Sequence, residues 1–308
     1  MNTATKFAGF TLGLTAVFAI ALGTGALLGP EPTESAAHDA AEHDEMGRLG
    51  GASLGTLASD RGYMLELDTP QIITSAADVP VRFRILDRDG APVTRYVTTH
   101  DKDLHLIVVR RDMAAYQHVH PVLENDTWNT RLDLTRAGEY RMFADFTPDG
   151  DEDLTLGADL RVAGDYDPRP LLPATSTSTV GDYSVTLQGT VTPGQPSQVT
   201  LIVNRAGAPV TDLQPYLAAY GHLVALRTTD LGYLHVHPNG HPGDGVTPAG
   251  PDITFTLTAP SAGDYRLFLD FQHQDVVRTA EFTLPVARPP AADISPATEH
   301  TGTDGHGH

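Results

Sequence analysis

Beyond residue 61 the chain is a succession of short apolar runs separated by turn residues. "YMLELD" (63–68), "VPVRFRIL" (79–86), "LHLIVVR" (104–110), "YQHVH" (116–120), "WNTRLDL" (128–134), "EYRMFADF" (139–146) and "LGADLRV" (156–162) are rich in β-branched and aromatic residues. Asp89-Gly90 and Ala137-Gly138 are among the turn signals between them. Runs of this kind, so bounded, predict strands. No stretch in this region keeps a helical apolar period, so helices are not expected there.

The pattern then repeats. "GAPVT" at Gly90–Thr94 recurs unchanged at Gly207–Thr211, 117 residues on. His105–Pro121 aligns with His222–Pro238 at the same offset, with eight of 17 positions identical. "GEYRMFADF" (138–146) aligns with "GDYRLFLDF" (263–271) at an offset of 125, with six of nine identical. The offset grows because the second copy carries an insertion, "NGHPGDGVTPAG" (239–250). Register kept over three blocks predicts a duplicated domain.

Seven short strands in about 100 residues suggest an immunoglobulin-like sandwich. "LTRAGEY" (134–140) and "APSAGDY" (259–265) support it. Each resembles the corner of such folds, where a Tyr anchors the preceding loop. The expected fold is all-β, two tandem immunoglobulin-like repeats after an N-terminal transmembrane helix. The expected segments are a signal-anchor helix over 1–29, an acidic stalk over 30–61 and a first repeat over 62–164. A Pro- and Thr-rich linker over 165–181, a second repeat over 182–286 and a disordered His-rich tail over 287–308 complete the chain.

Candidate chemistry lies in "YQHVHP" and "YLHVHP". Side chains alternate along a strand, so His118 and His120 share a face. A hairpin pairing Val109 with Tyr116 brings His105 opposite His120. His222, His235 and His237 repeat the spacing. Asp145 and Asp270 fall on a neighbouring strand, beside His105 and His222, as ligands or as groups fixing an imidazole tautomer. Pairing with Arg141 and Arg266 is the competing use of these carboxylates. The same faces carry Ile107, Val109 and Phe143 in one repeat and Val224, Leu226 and Phe268 in the other. An apolar face needs a cover, and the sister repeat is the expected one. His100, His241 and His273 lack counterparts and read as loop residues. "GASLG" (51–55) fits G-x-S-x-G but lacks the strand-turn-helix setting of a nucleophile elbow.

Composition narrows the partners. The formal charge of −19 argues against nucleic acid. The absence of Cys removes disulfides and thiolate ligands. Phe7–Leu28 is uncharged and long enough to span a bilayer as a helix. Lys6 precedes it and acidic residues follow, which places the bulk of the chain outside the cytoplasm. A cleaved signal peptide, with "TGA" (24–26) as its cleavage site, is the rival reading. "HDAAEHDEM" (38–46) and "EHTGTDGHGH" (299–308) are short metal-binding-type tracts.

With "DLHLIVVRRD…QHVHP" and "GEYRMFADF" in view, the chain resembles bacterial membrane-anchored proteins with two immunoglobulin-like repeats over Gly62–Pro285. It also resembles the YtkA-like and CopC-like β-sandwich groups. That resemblance implies export and a link to copper or other heavy-metal handling. Imidazole and carboxylate without sulfur suit Cu(II) first and Zn(II) second. The leading expectation is a membrane-anchored, extracytoplasmic, non-enzymatic protein binding a divalent transition metal. The alternative is a non-catalytic cell-surface module with structural histidines and an envelope protein partner. A metal-dependent enzyme is the third reading.

Overall fold

The computed structural model describes residues 54–288 apart from His235, and for His237 the backbone alone. The anchor, most of the stalk, and the tail lie outside the described residues. Among the described residues no helix is long and apolar enough to cross a membrane. They fall within one compact unit.

Each repeat is a sandwich of two sheets. In the first, Tyr63–Leu67, Ala76–Leu86 and Thr127–Leu134 form one sheet with two short edge strands. The facing sheet contains β1 (Leu104–Arg110), β2 (Gln117–Val119), β3 (Gly138–Pro148) and β4 (Leu154–Val162), in the order β4-β3-β1-β2. Gln71–Ile72 joins it parallel to β4, while the other ladders of this sheet are antiparallel. That division of strands is the immunoglobulin arrangement. The second repeat follows it with β5 (His222–Arg227), β6 (Tyr233–Leu234), β7 (Gly263–His273) and β8 (Val276–Val286), ordered β6-β5-β7-β8.

Alternation decides what each strand buries. On β1, Leu104, Leu106 and Val108 enter the core of repeat 1, with Tyr140, Met142, Ala144 and Phe146 of β3. Leu223, Ala225, Tyr265, Leu267, Leu269 and Phe271 do the same in repeat 2. The tyrosine corners form as expected. Tyr140 donates to the Arg136 carbonyl at 2.7 Å, and Tyr265 to that of Ser261 at 2.9 Å.

The opposite faces of β1, β3, β5 and β7 meet each other. Ile107, Val109, Met113 and Phe143 pack with Val224, Leu226, Leu231, Tyr233 and Phe268 in a third apolar cluster. The repeats are therefore joined sheet to sheet, and all seven residues of β1 are buried. The segment between the repeats is pinned at both ends. The Asp167 carbonyl accepts from Arg110, and the Leu172 carbonyl from Thr283.

Part of the expected stalk belongs to this body. Ser59–Asp60 is an edge strand of the first sandwich. Just before it, the Leu54 carbonyl accepts the Tyr233 amide at 2.7 Å and the Leu57 carbonyl accepts the Gly157 amide at 2.8 Å. Arg141 donates to the carbonyls of Gly55 and Thr56. This strap lies so close that a β-carbon on Gly157 would stand 2.0 Å from the Gly55 oxygen.

The run Tyr233–His237 is not one strand. Tyr233–Leu234 pairs with β5, whereas His237–Pro238 pairs with Thr256 and Phe255 in the other sheet. The expected pairing of His222 with His237 is thereby corrected. The chain thus crosses between the sheets after Leu234 and before His237. Repeat 1 makes the same crossing, from Gln117–Val119 to Val122–Glu124.

Candidate metal centre

One end of the joint is apolar; the other is made of imidazoles. His105 leads this face of β1, two residues before Ile107. The ladder pairs Leu106 with Val119 and Ile107 with His118. Continued one step past β2, it sets His120 opposite His105, the register the sequence spacing predicts. One nitrogen from each of His105, His118 and His120 lies within 4.8 Å of the others. His105 is 9% exposed. The His118 side chain is 6% exposed.

The hydrogen bonds assign the tautomers. His105 Nε2 is 3.1 Å from the Thr99 carbonyl oxygen. His118 Nδ1 is 2.9 Å from Asp270 Oδ2. A carbonyl and a carboxylate only accept, so each ring donates its single proton outward. His105 Nδ1 and His118 Nε2 then face each other across 3.1 Å. When each ring carries a single proton, these two nitrogens meet lone pair to lone pair. His120 Nε2 is also buried with no hydrogen-bond partner. A buried polar nitrogen without a partner is costly.

On His105 or His120 a proton is a poor solution. Burial pulls His105 down to about 4, despite the Thr99 carbonyl, which acts in the other direction. Burial, then repulsion from His118 and His105, pulls His120 down to about 3. A divalent cation fits the donor set better. Nitrogens bound to one ion at about 2.0–2.1 Å stand about 2.9 Å apart at a right angle and about 3.3 Å apart at the tetrahedral angle. The 3.1 Å separation lies between these. A carboxylate behind a histidine, as Asp270 stands behind His118, is the usual support of a metal-bound imidazole.

The second repeat mirrors the arrangement through an approximate twofold. Asp145 is the register partner of His105, and Asp270 of His222. Tyr233 reaches Asp145 Oδ2 at 3.3 Å, and Tyr116 reaches Asp270 Oδ2 at 3.5 Å. Tyr116 stacks on Phe268 with ring centroids 4.0 Å apart, and Tyr233 lies over Phe143 at 5.6 Å. Thr155 donates to Asp145 Oδ1 and Thr279 to Asp270 Oδ1. Neither carboxylate is paired with Arg141 or Arg266, which turn to Asp159 and Glu281.

His222 donates from Nε2 to the carbonyls of Tyr216 and Leu217. Tyr216 is the counterpart of Thr99, so both histidines lean on equivalent tight turns. Burial holds His222 down to about 4. Its ring centroid is 6.4 Å from His105 and 6.3 Å from His118, so the two sets of histidines meet at one joint. His235 and the side chain of His237 lie outside the described residues.

Sequence reasoning missed three contributions. His100, read as a loop residue, sits in its tight turn at φ 51° with its ring 5.2 Å from His222 and 6.2 Å from His105. No periodicity could locate a side chain on a turn. His273, also read as a loop residue, ends β7 and is buried, with Nδ1 2.7 Å from Tyr183 Oη and Nε2 3.0 Å from Asp212 Oδ1. The strap at 54–57 falls in "GASLGTL", which reads as the stalk's end with a short strand; the strand forms just after it, at Ser59–Asp60, and what the sequence did not show is the strap's bonds to Tyr233 and Gly157. His241 does lie exposed in the insertion loop.

A family model described as "Domain of unknown function (DUF8832)" matches residues 58–163 and again 178–288, most of the chain in two copies. No curated protein matches the sequence. Among solved structures the chain is similar to the Yersinia pseudotuberculosis adhesin InvE at 14% identity, over 77% of this chain and 62% of that one, with TM-score 0.23. Invasin, a bacterial integrin-binding protein, matches at 11% identity over 74% of this chain and 40% of that one, with TM-score 0.22. Domains 4 and 5 of the S-layer protein SbsC match at 11% identity over 75% and 99%, with TM-score 0.21. The chain thus spans 62% and 40% of the first two. At such scores the strand order, rather than these likenesses, defines the fold.

Proposed function

The chain belongs to that family, and on this premise we propose that it is a non-catalytic tandem β-sandwich module, held outside the cytoplasm, that binds a divalent transition metal at the joint of its repeats. The ligands are His105, His118 and His120, with Asp270 behind His118. The observation that carries the reading is the 3.1 Å approach of His105 Nδ1 to His118 Nε2, beside the orphaned nitrogen of His120. Copper is the first candidate and zinc the second, because the donors are imidazoles without sulfur. Export and anchoring rest on Phe7–Leu28 and the acidic stretch after it. A non-catalytic role rests on Asp145 and Asp270, the nearest candidate bases, being engaged by Thr, Tyr and His side chains.

The second reading keeps the module but not the metal. The tandem sandwich then serves as a surface or envelope interaction body, and the histidines brace its joint. The buried hydrogen bonds of His105, His118 and His222 to acceptor groups favour it. Equilibrium dialysis of the purified protein against copper or zinc separates the two. A well-formed site loads close to one ion per chain, and His105→Ala/His118→Ala abolishes loading. Loading below about 0.3 per chain, unchanged in that variant, leaves only the interaction module.

A further inference from the structure

We infer that the centre is composite across the joint: Asp270 of the second repeat is the positioning residue for His118 of the first, so a cation bound by repeat 1 also fastens repeat 2. The inference rests on the metal reading above.

Three observations carry it. Asp270 belongs to β7, 152 residues beyond His118, yet its Oδ2 accepts the His118 Nδ1 proton at 2.9 Å. The carboxylate is itself held. Its Oδ1 accepts the Thr279 hydroxyl at 2.5 Å, which aims Oδ2 at the joint. Both partners are buried, with side chains 6% and 4% exposed, so water does not replace the bond. All three candidate ligands come from repeat 1, but the group that fixes which nitrogen of His118 is bare comes from repeat 2. Without Asp270, His118 is free to place its proton on Nε2 or to turn its ring. With it, the proton of the singly protonated ring is kept on Nδ1, and Nε2 is the nitrogen turned toward His105. A ligating histidine that loses such a carboxylate commonly loses affinity 10–100-fold. The negative charge of Asp270 beside the ligands also favours a divalent over a monovalent ion.

The test uses the full chain and copper(II) or zinc(II) alone as the probe. Affinity is measured for the parent, Asp270→Ala and Asp270→Asn, and amide hydrogen exchange is followed with and without metal. Expected are a 10–100-fold loss in Asp270→Ala and partial rescue in Asp270→Asn, which keeps an acceptor oxygen. Metal should slow exchange in β5 and β7 of the parent, although neither strand supplies any of the three ligands. In saturated Asp270→Ala that slowing should vanish while repeat 1 stays protected. If Asp270→Ala does not fold, Asp270→Asn carries the test through a shifted copper absorption band. A parent that binds metal tightly, with both variants unchanged and β5 and β7 unaffected, overturns this inference and leaves the metal reading standing. A parent that binds no metal overturns both.

Discussion

The joint between the repeats has two ends made from the same strands. On β1, His105, Ile107 and Val109 share one face, and His105 stands one alternation away from the apolar cluster. The apolar end is complete. Phe143, Phe268, Ile107, Val224 and their neighbours are all buried against each other and need nothing from solution. The histidine end is conditional. Its rings satisfy their outer nitrogens with carbonyls and a carboxylate, and turn their other nitrogens inward. The difference separates two tasks. The apolar end sets where the repeats sit, and the histidine end makes the tightness of that seat depend on what is dissolved around it.

Acid should expose the contrast most strongly. His105, His120 and His222 sit near 4, 3 and 4 in the folded chain, against about 6.5 when unfolded. Between those values the unfolded chain binds more protons. The contribution of the neutral histidines is therefore complete above about pH 6.5 and is lost as pH falls through about 4. Urea midpoints of metal-free protein should fall from pH 7.5 to pH 5. The loss is on the order of 2 kcal/mol each for His105 and His222, and less for the more open His120. A flat profile would mean that these rings are not held neutral.

The apolar end should show no such dependence. Phe268→Ala empties the stack beneath Tyr116 and should cost about 3–5 kcal/mol at any pH, read from chemical denaturation. Gly157→Ala presses a methyl group onto the strap and should cost about 1–3 kcal/mol, with faster amide exchange at Gly157 and Tyr233. Tyr233→Phe should matter least. It removes one hydrogen bond of 3.3 Å to Asp145 and should cost about 1 kcal/mol while ring packing persists. If Tyr233→Phe proved as harmful as Phe268→Ala, the polar contacts would hold the joint and the comparison would be reversed.

Much of this was legible in the sequence. Alternation on "LHLIVVR" leaves apolar residues on both faces, and "EYRMFADF" adds Phe143 to the outer one, so a second cover beyond the sandwich core was required. The spacing of His105, His118 and His120 fixed the hairpin register, because a one-residue slip would turn the pair to the opposite face. The repeat made the approximate twofold foreseeable. What the spacing could not carry was which carboxylate serves which imidazole. Asp270 looked like the support of its register neighbour His222, but its free oxygen crosses to His118, a contact of the folded joint. His273 was missed for a related reason. Its partners Tyr183 and Asp212 lie 90 and 61 residues away.

The strap at 54–57 has a mechanical consequence. Leu54 is bonded to the second repeat through Tyr233, and Leu57 to the first through Gly157. A pull arriving along the chain from its N-terminal side therefore meets repeat 2 before repeat 1. The load enters across the seam, so tension from that side strains both sandwiches together instead of peeling one from the other.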